Sequence, residues 1–345
     1  MNNEIGGNTM KALITGFTGM VGSHLADFLL DNTEWKILGF SRWIESFENV
    51  AHLIPRINSE DRVFITYGDM NDFASIDSAL RENRPEIIFH LAAQSYPQTS
   101  FVAPIETMQT NVIGTLNLLE SVKNIEGYEP VIHVCSSSEV FGKVDKSKLP
   151  IDEECTFHPA SPYAISKVGT DLLGRHYSEA YGLNTQTTRM FTHTGPRRAD
   201  VFAESTFAKQ IAMIEYGLIP PVINTGNLDS LRTWADVRDA VRAYHLLVTS
   251  NPIPGAYYNI GGSFSCSVRE MLETLISLSN YEGDITVQTD PRRLRPIDAD
   301  LQVPDTKKFQ NHTGWKPEID FKTTMTDLLE YWRKKVENSP NQLTR

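Results

Sequence analysis

Two residues four positions apart, Tyr163 and Lys167, offer the clearest chemistry in this chain. On a helix they share a face. An ammonium beside a phenol stabilises the phenolate and brings the tyrosine towards the range of a useful general base. A Tyr-x-x-x-Lys pair is uninformative alone, but here Ser161-Pro162 precede it, and Ser136-Ser137-Ser138-Glu139 closes an apolar run over 131–135. Hydroxyls at the carboxyl end of a parallel strand face the ligand crevice. Glu139 beside them, if partly buried, can act as a base on carbon. The plain alternatives are a chance pair and a surface carboxylate at a helix start.

A second constellation is Gly16-Phe17-Thr18-Gly19-Met20-Val21-Gly22, after the short apolar run 11–15 and before a helical pattern over 23–32. Gly16 permits the tight turn, Gly19 lets the backbone approach a pyrophosphate, and Gly22 allows close packing of helix on strand. The free amides of the following helix suit an anion. About twenty residues on, a site selective for NAD carries an acid for the ribose 2′-hydroxyl. This chain has Ser41-Arg42 there and no acid until Glu45. Arg42 therefore points to the 2′-phosphate of NADP(H), the alternative being a solvated arginine. Asp69, after the third strand, is placed to meet an adenine amino group or to sit as a simple loop acid.

The elements that must position these residues alternate. Strands are expected over 11–15, 35–40, 63–67, 86–91, 131–135 and 185–190, with helices over 23–32, 73–83, 104–123 and 162–181 between them. This alternation predicts an α/β fold, a doubly wound parallel Rossmann sheet with helices on both faces. After residue 191 the pattern breaks into loops and a helix near 205–217. A helix over 236–250 and a strand over 256–260 then suit a return to the sheet, and 268–279 and 321–334 read as further helices. The expected division is a dinucleotide-binding domain, 10–191 plus about 225–262, interleaved with a smaller α/β substrate domain, 192–224 and 263–335. Residues 1–9 and 336–345 are expected to be flexible tails. A substrate cleft between the two parts follows.

Bulk properties narrow the class. The chain has 345 residues, enough for one large and one smaller domain. Lys and Arg number 32 against 43 Asp and Glu, a net charge of −11 that disfavours nucleic acid and anionic membrane surfaces as partners. No apolar run approaches the roughly 18 residues of a membrane span, and the N-terminus does not resemble a signal peptide. Cys135, Cys155 and Cys266 are odd in number and match no zinc spacing, so reduced thiols in a cytoplasmic protein without a metal site are expected.

Together these motifs resemble the extended short-chain dehydrogenase/reductases that act on nucleotide sugars. The resemblance runs from Lys11 to about Trp332, through TGFTGMVGSHLADFLL (15–30), YGDM (67–70), FHLAAQS (89–95), NVIGTLNLLE (111–120), SSSEVFG (136–142), SPYAISK (161–167), YNIGG (258–262) and TGWKP (313–317). Within that superfamily, GPRR (195–198), GNLDSLRTW (226–234) and LRP (294–296) resemble the GDP-mannose 4,6-dehydratases and their sister group, the GDP-4-keto-6-deoxymannose reductases.

The resemblance implies catalytic roles for Ser137, Glu139, Tyr163 and Lys167, with Ser138 assisting the leaving hydroxyl. It implies NADP(H) contacts from Gly16, Thr18, Gly19, Met20, Val21, Gly22, Ser41, Arg42, Asp69, Met70, Leu91, Ala92, Ala93, Tyr163, Lys167 and His193. It implies substrate contacts from Ser95, Thr192, Arg198, Lys209, Arg232, Arg295 and Asp298, with Arg232 on the sugar-nucleotide diphosphate and Asp298 near the nucleotide ribose. Where the dehydratases carry Asn before this His, the chain has Thr192, and FAKQIAMIE (207–215) looks more like the reductases. The implied activity is NADP-dependent 4,6-dehydration of a GDP-linked hexose or heptose by a homodimer or homotetramer. The alternatives are a 4-keto reductase consuming NADPH, a C4 epimerase, and a non-catalytic NADP(H) sensor. A sensor would not need the Ser137, Tyr163 and Lys167 set.

Overall fold

The structure is a computed structural model that describes residues 9–297 and 299–341. Asp298 and the outer parts of both expected tails, 1–8 and 342–345, lie outside the described residues. Six strands follow one another along the first half: β1 (Lys11–Thr15), β2 (Lys36–Ser41), β3 (Val63–Tyr67), β4 (Ile87–His90), β5 (Val131–Cys135) and β6 (Asn184–Met190). Then come β7 (His193–Thr194), β8 (Val222–Thr225), β9 (Leu231–Asp236), β10 (Tyr257–Ile260), β11 (Phe264–Ser267), β12 (Thr286–Thr289) and β13 (Leu301–Gln302).

The large sheet has the order β10-β6-β5-β4-β1-β2-β3, and every pairing in it is parallel. Strand order reverses between β1 and β4, and the carboxyl ends there open the crevice in which a doubly wound sheet binds its ligand. Strands covered on both faces must be apolar throughout. Accordingly Ala12, Ile14, Ile37 and Phe89 bury into one layer with Leu25, Leu29 and Tyr244, while Leu13, Leu38, Ile88 and Ile132 bury into the other with Leu80 and Leu119.

The smaller unit is a sheet in which β9 pairs with β11, β13 and β7, plus the β12-β8 pair. It packs around helices Ala203–Glu215, Val268–Ser277 and Phe321–Asn338. The return to the large sheet expected over about 225–262 is made by helix Val237–Thr249 and β10. In the same stretch β9 instead becomes the central strand of the smaller sheet.

Two local expectations are corrected. The helix expected over 104–123 is three pieces: Pro104–Met108, a π-turn Gln109–Ile113, and Gly114–Asn124. The tail expected from residue 336 begins later, because helix Phe321–Asn338 continues through Val336, which is fully buried against the smaller core.

Candidate active site

The carboxyl ends of the large sheet and the loops of the smaller unit enclose one cavity of about 780 Å³. At its floor, the turn after β1 holds Gly16 at a φ of +70°. A Cβ on Gly22 would meet the Gly16 carbonyl oxygen at 2.3 Å and Phe17 Cα at 2.8 Å, so only glycine lets this helix sit on its strand. No side chain caps helix Met20–Asn32, which leaves its first amides open towards the cavity. The cradle therefore fits a dinucleotide pyrophosphate.

The end of β4 is tied to β1 through one hydroxyl. Thr15 Oγ1 accepts from the backbone amides of Leu91 and Ala92, each at 3.0 Å, and lies 3.0 Å from His90 Nδ1. Burial, helped by the charge of Lys167, pushes the His90 pKa down to about 3. The π-turn in the following helix brings Asn111 to the same loop. Its amide accepts from Gln94 N at 2.8 Å and donates to Gln94 O at 3.0 Å and to Ser166 Oγ at 2.8 Å. One side chain thus fixes the loop before Ser95 against the helix that carries Tyr163 and Lys167.

That helix, Pro162–Tyr181, starts where the sequence predicts. Ser161 Oγ accepts from Ala164 N at 3.0 Å, and Pro162 occupies the first helical position. Tyr163 and Lys167 are both buried. Burial raises the Tyr163 pKa well above that of free tyrosine, opposed by the hydrogen bond with Ser137. Burial likewise lowers the Lys167 pKa, against an opposing contribution from Cys135. The Lys167 ammonium donates to the Cys135 carbonyl at 2.8 Å, so this helix is anchored on the end of β5. Ser137 caps the short turn Ser138–Val140, accepting from Glu139 N at 3.2 Å. The Glu139 carboxylate leaves that turn towards the smaller unit, where it lies 3.5 Å from Arg232 Nη1 on β9.

Opposite stand the 191–202 loop and the first turn of helix Ala203–Glu215. Arg198 donates to Glu204 at 3.0 Å and lies 3.3 Å above the Phe202 ring, which meets Tyr96 at 4.9 Å. His193 is half-buried on this wall, its pKa pushed down to about 4 by desolvation and then by the charge of Arg198.

Nearly all the residues singled out from sequence meet in this cavity. Ser137, Ser138, Glu139, Tyr163 and Lys167 line it, as do the 16–22 loop, Ser41, Arg42, Asp69, Met70, Leu91, Ala92, Ala93, Ser95, Thr192, His193, Arg198, Arg232 and Arg295. Lys209 does not. It lies on the inward face of its helix, donates to Asp200 at 2.7 Å and sits 5.3 Å from the Trp332 ring. Asp298 is outside the described residues.

The cavity also gathers residues not singled out above: Glu45, Gln94, Tyr96, Arg197, Phe202, Glu204, Arg292 and Arg293. The run Asp290-Pro-Arg-Arg-Leu-Arg295 was the readable signal for the last two, since cations cluster beside Arg295. Arg197 is the first of the paired arginines of GPRR. It lies 2.7 Å from Asp27, and the adjacent Pro196 carbonyl lies 3.1 Å from His24 Nε2. These contacts clasp the loop to helix Met20–Asn32.

The sequence model of the GDP-mannose 4,6 dehydratase family matches residues 13–328. The chain is similar to the GDP-6-deoxy-D-mannose reductase of Pseudomonas aeruginosa, at 31% identity over 95% of this chain and 99% of that one. It is similar to the GDP-mannose 4,6-dehydratase of Sinorhizobium fredii, at 32% identity over 92% of this chain and 95% of that one. Among solved structures it resembles RMD from Pseudomonas aeruginosa complexed with NADPH, with a TM-score of 0.80 and 29% identity over 95% of this chain and all of that one. With a family match spanning most of its length and relatives aligned almost end to end, the chain belongs to the GDP-mannose 4,6-dehydratase family.

Proposed function

We propose that this chain is a GDP-sugar 4,6-dehydratase that uses NADP(H) and yields a 4-keto-6-deoxy sugar. The observation that carries the reading is the meeting of Glu139 with Ser137, Tyr163, Lys167 and Arg232 on the wall of one cavity. Oxidation at C4 needs a phenol with a nearby cation, and elimination across C5–C6 needs a separate base. The Gly16–Gly22 cradle and Arg42 would hold the dinucleotide. Bound there, it would supply a hydride acceptor for C4 of the sugar and a hydride donor for C6.

The chain's own groups handle the protons. Tyr163 takes the proton of the 4-hydroxyl, with Ser137 hydrogen-bonded to the same oxygen. Lys167 supplies the positive charge that makes the phenolate tolerable. The resulting 4-ketone acidifies C5, and Glu139 removes that proton. The C6–oxygen bond breaks and the hydroxyl leaves as water, with Ser138 relaying to it the proton that Tyr163 took from the 4-hydroxyl. Glu139 then returns a proton to C5 once C6 has been reduced. Arg232, with Arg198 and Arg295 on the lining of the same cavity, binds the diphosphate, and Ser95 and Thr192 contact the hexose.

The test is incubation with a panel of nucleotide sugars, with no added cofactor, and mass spectrometry of the products. Loss of water from a GDP-hexose or GDP-heptose is expected. The second reading, a 4-keto reductase, is favoured by the similarity to the Pseudomonas aeruginosa reductase. It replaces the first if no nucleotide sugar loses water while a 4-keto-6-deoxy sugar oxidises NADPH one for one.

No helix among the described residues is long and apolar enough to cross a membrane. We read the chain as a cytoplasmic protein, which suits its three free cysteines. We also read it as at least a homodimer, because Val102, Ile105, Ile113, Ile165 and Leu172 leave apolar side chains exposed on the helices around 97–124 and 162–181. Light scattering at micromolar concentration checks this, and a monomer there would reject it.

A further inference from the structure

At the cavity end beyond β2, the guanidinium of Arg42 is not alone. Its Nε donates to Glu45 Oε1 at 2.5 Å, and its Nη2 also reaches that carboxylate. The turn that brings them together is closed by Glu45 N donating to the Arg42 carbonyl at 3.2 Å. Both side chains line the cavity, and so does Asp69 at the end of the neighbouring β3. Asp69 is positioned by its own turn, where its carboxylate accepts from Asn71 N at 2.9 Å. Among the described lining residues at this end, Arg42 therefore brings one positive charge and Glu45 and Asp69 bring two negative ones.

We infer that Glu45 is a specificity-determining residue for the dinucleotide: its carboxylate restrains the preference for a 2′-phosphate and lets the same site accept the unphosphorylated cofactor. The inference rests on the dinucleotide reading of this cavity and goes beyond it. An incoming 2′-phosphate must share Arg42 with a carboxylate that repels it. A ribose 2′-hydroxyl meets the opposite situation, since Glu45 offers it an acceptor. The pocket thus carries the determinants of both cofactors on residues three apart, with Arg42 favouring the phosphate and Glu45 favouring the hydroxyl. Both side chains are partly exposed, so the electrostatic share of the effect is open to salt screening.

The test measures dissociation constants for NADPH and NADH by fluorescence titration of the full chain, native and Glu45→Gln. Glutamine keeps the size and an acceptor oxygen but removes the charge. In low salt, the ratio of NADH to NADPH dissociation constants should rise about three- to fivefold in the variant, the change expected from one partly screened charge. In 1 M salt, where the Debye length falls to about 3 Å, most of that rise should vanish. A ratio that stays put in low salt, or falls, overturns the inference and makes Glu45 a support for Arg42. A rise that persists undiminished in 1 M salt also overturns it, because charge is then not the cause. If the native chain binds neither nucleotide, the dinucleotide reading itself has failed, a result distinct from an unmoved ratio.

Discussion

Replacing Glu139 by Gln separates dehydration from every other activity this cavity could support. The side chain leaves a turn held by the Ser137 cap, and its neighbours Val140 and Phe141 are fully buried. The backbone that presents residue 139 therefore does not depend on the carboxylate. Gln has nearly the same volume and can still accept from Arg232, which lies at 3.5 Å. What it cannot do is take a proton from carbon. A positioned acid–base group is worth about 100- to 10,000-fold in rate, or roughly 2.7–5.4 kcal/mol of barrier at 1.36 kcal/mol per tenfold. Water loss should fall by that factor, while affinity for NADP(H) stays near the native value because the Glu139 carboxylate meets Arg232 of the smaller unit and not the glycine loop. The assay follows the 4-keto-6-deoxy product by mass spectrometry in ordinary and deuterated water. The native product should carry deuterium at C5, placed there by the same group. A Glu139→Gln variant that dehydrates at the native rate would refute the assignment of the base.

Tyr163→Phe should stop the first oxidation, so absorbance of reduced nicotinamide should not appear on adding substrate to the loaded variant; its appearance at native amplitude would displace Tyr163 from that role. Asp171→Ala should destabilise the fold by about 3–5 kcal/mol, the cost of stranding a buried charge, because Asp171 and Arg189 are fully buried and joined by two hydrogen bonds at 2.8 and 2.9 Å; a chemical denaturation midpoint within error of native would contradict it. Stability should also fall as pH drops from about 6.5 towards 4. Burial holds His24 and His193 down to about 4 and His90 and His133 down to about 3. The unfolded chain, with ordinary histidines, then binds more protons, and each histidine adds a slope of up to about 1.4 kcal/mol per pH unit in that window. A denaturation midpoint that is flat between pH 7 and 5 would show that these histidines are not held neutral.

The parallel sheet was legible because each strand is a short apolar run bounded by turn residues, and strand ends fell within a residue or so of the prediction. Local pattern also reached Ser161, Pro162, Tyr163 and Lys167, since a helix cap and a four-residue spacing are properties of adjacent residues. The π-turn at Gln109–Ile113 was not legible. Its amphipathic pattern continues across the extra residue, and the turn serves an amide grip between Asn111 and Gln94, 17 positions away. The partner of Lys209 was not legible either, because Asp200 meets it through a loop that no local pattern places.

The same limit explains why the reaction is harder to read than the fold. A reductase and a dehydratase both need a serine, a tyrosine and a lysine at the nicotinamide, and both need cations for the diphosphate. They differ in whether a carboxylate at position 139 reaches C5, which is a matter of direction. Here the Glu139 carboxylate meets Arg232, on the central strand of the smaller sheet, at 3.5 Å. On the proposed function Arg232 has two duties, holding the carboxylate and receiving the diphosphate. A substrate that draws the guanidinium to its phosphates weakens its hold on Glu139 and frees the carboxylate to turn towards the sugar. Chemistry at C5 is then coupled to recognition of the nucleotide through one side chain, a relation that no spacing along the sequence could reveal.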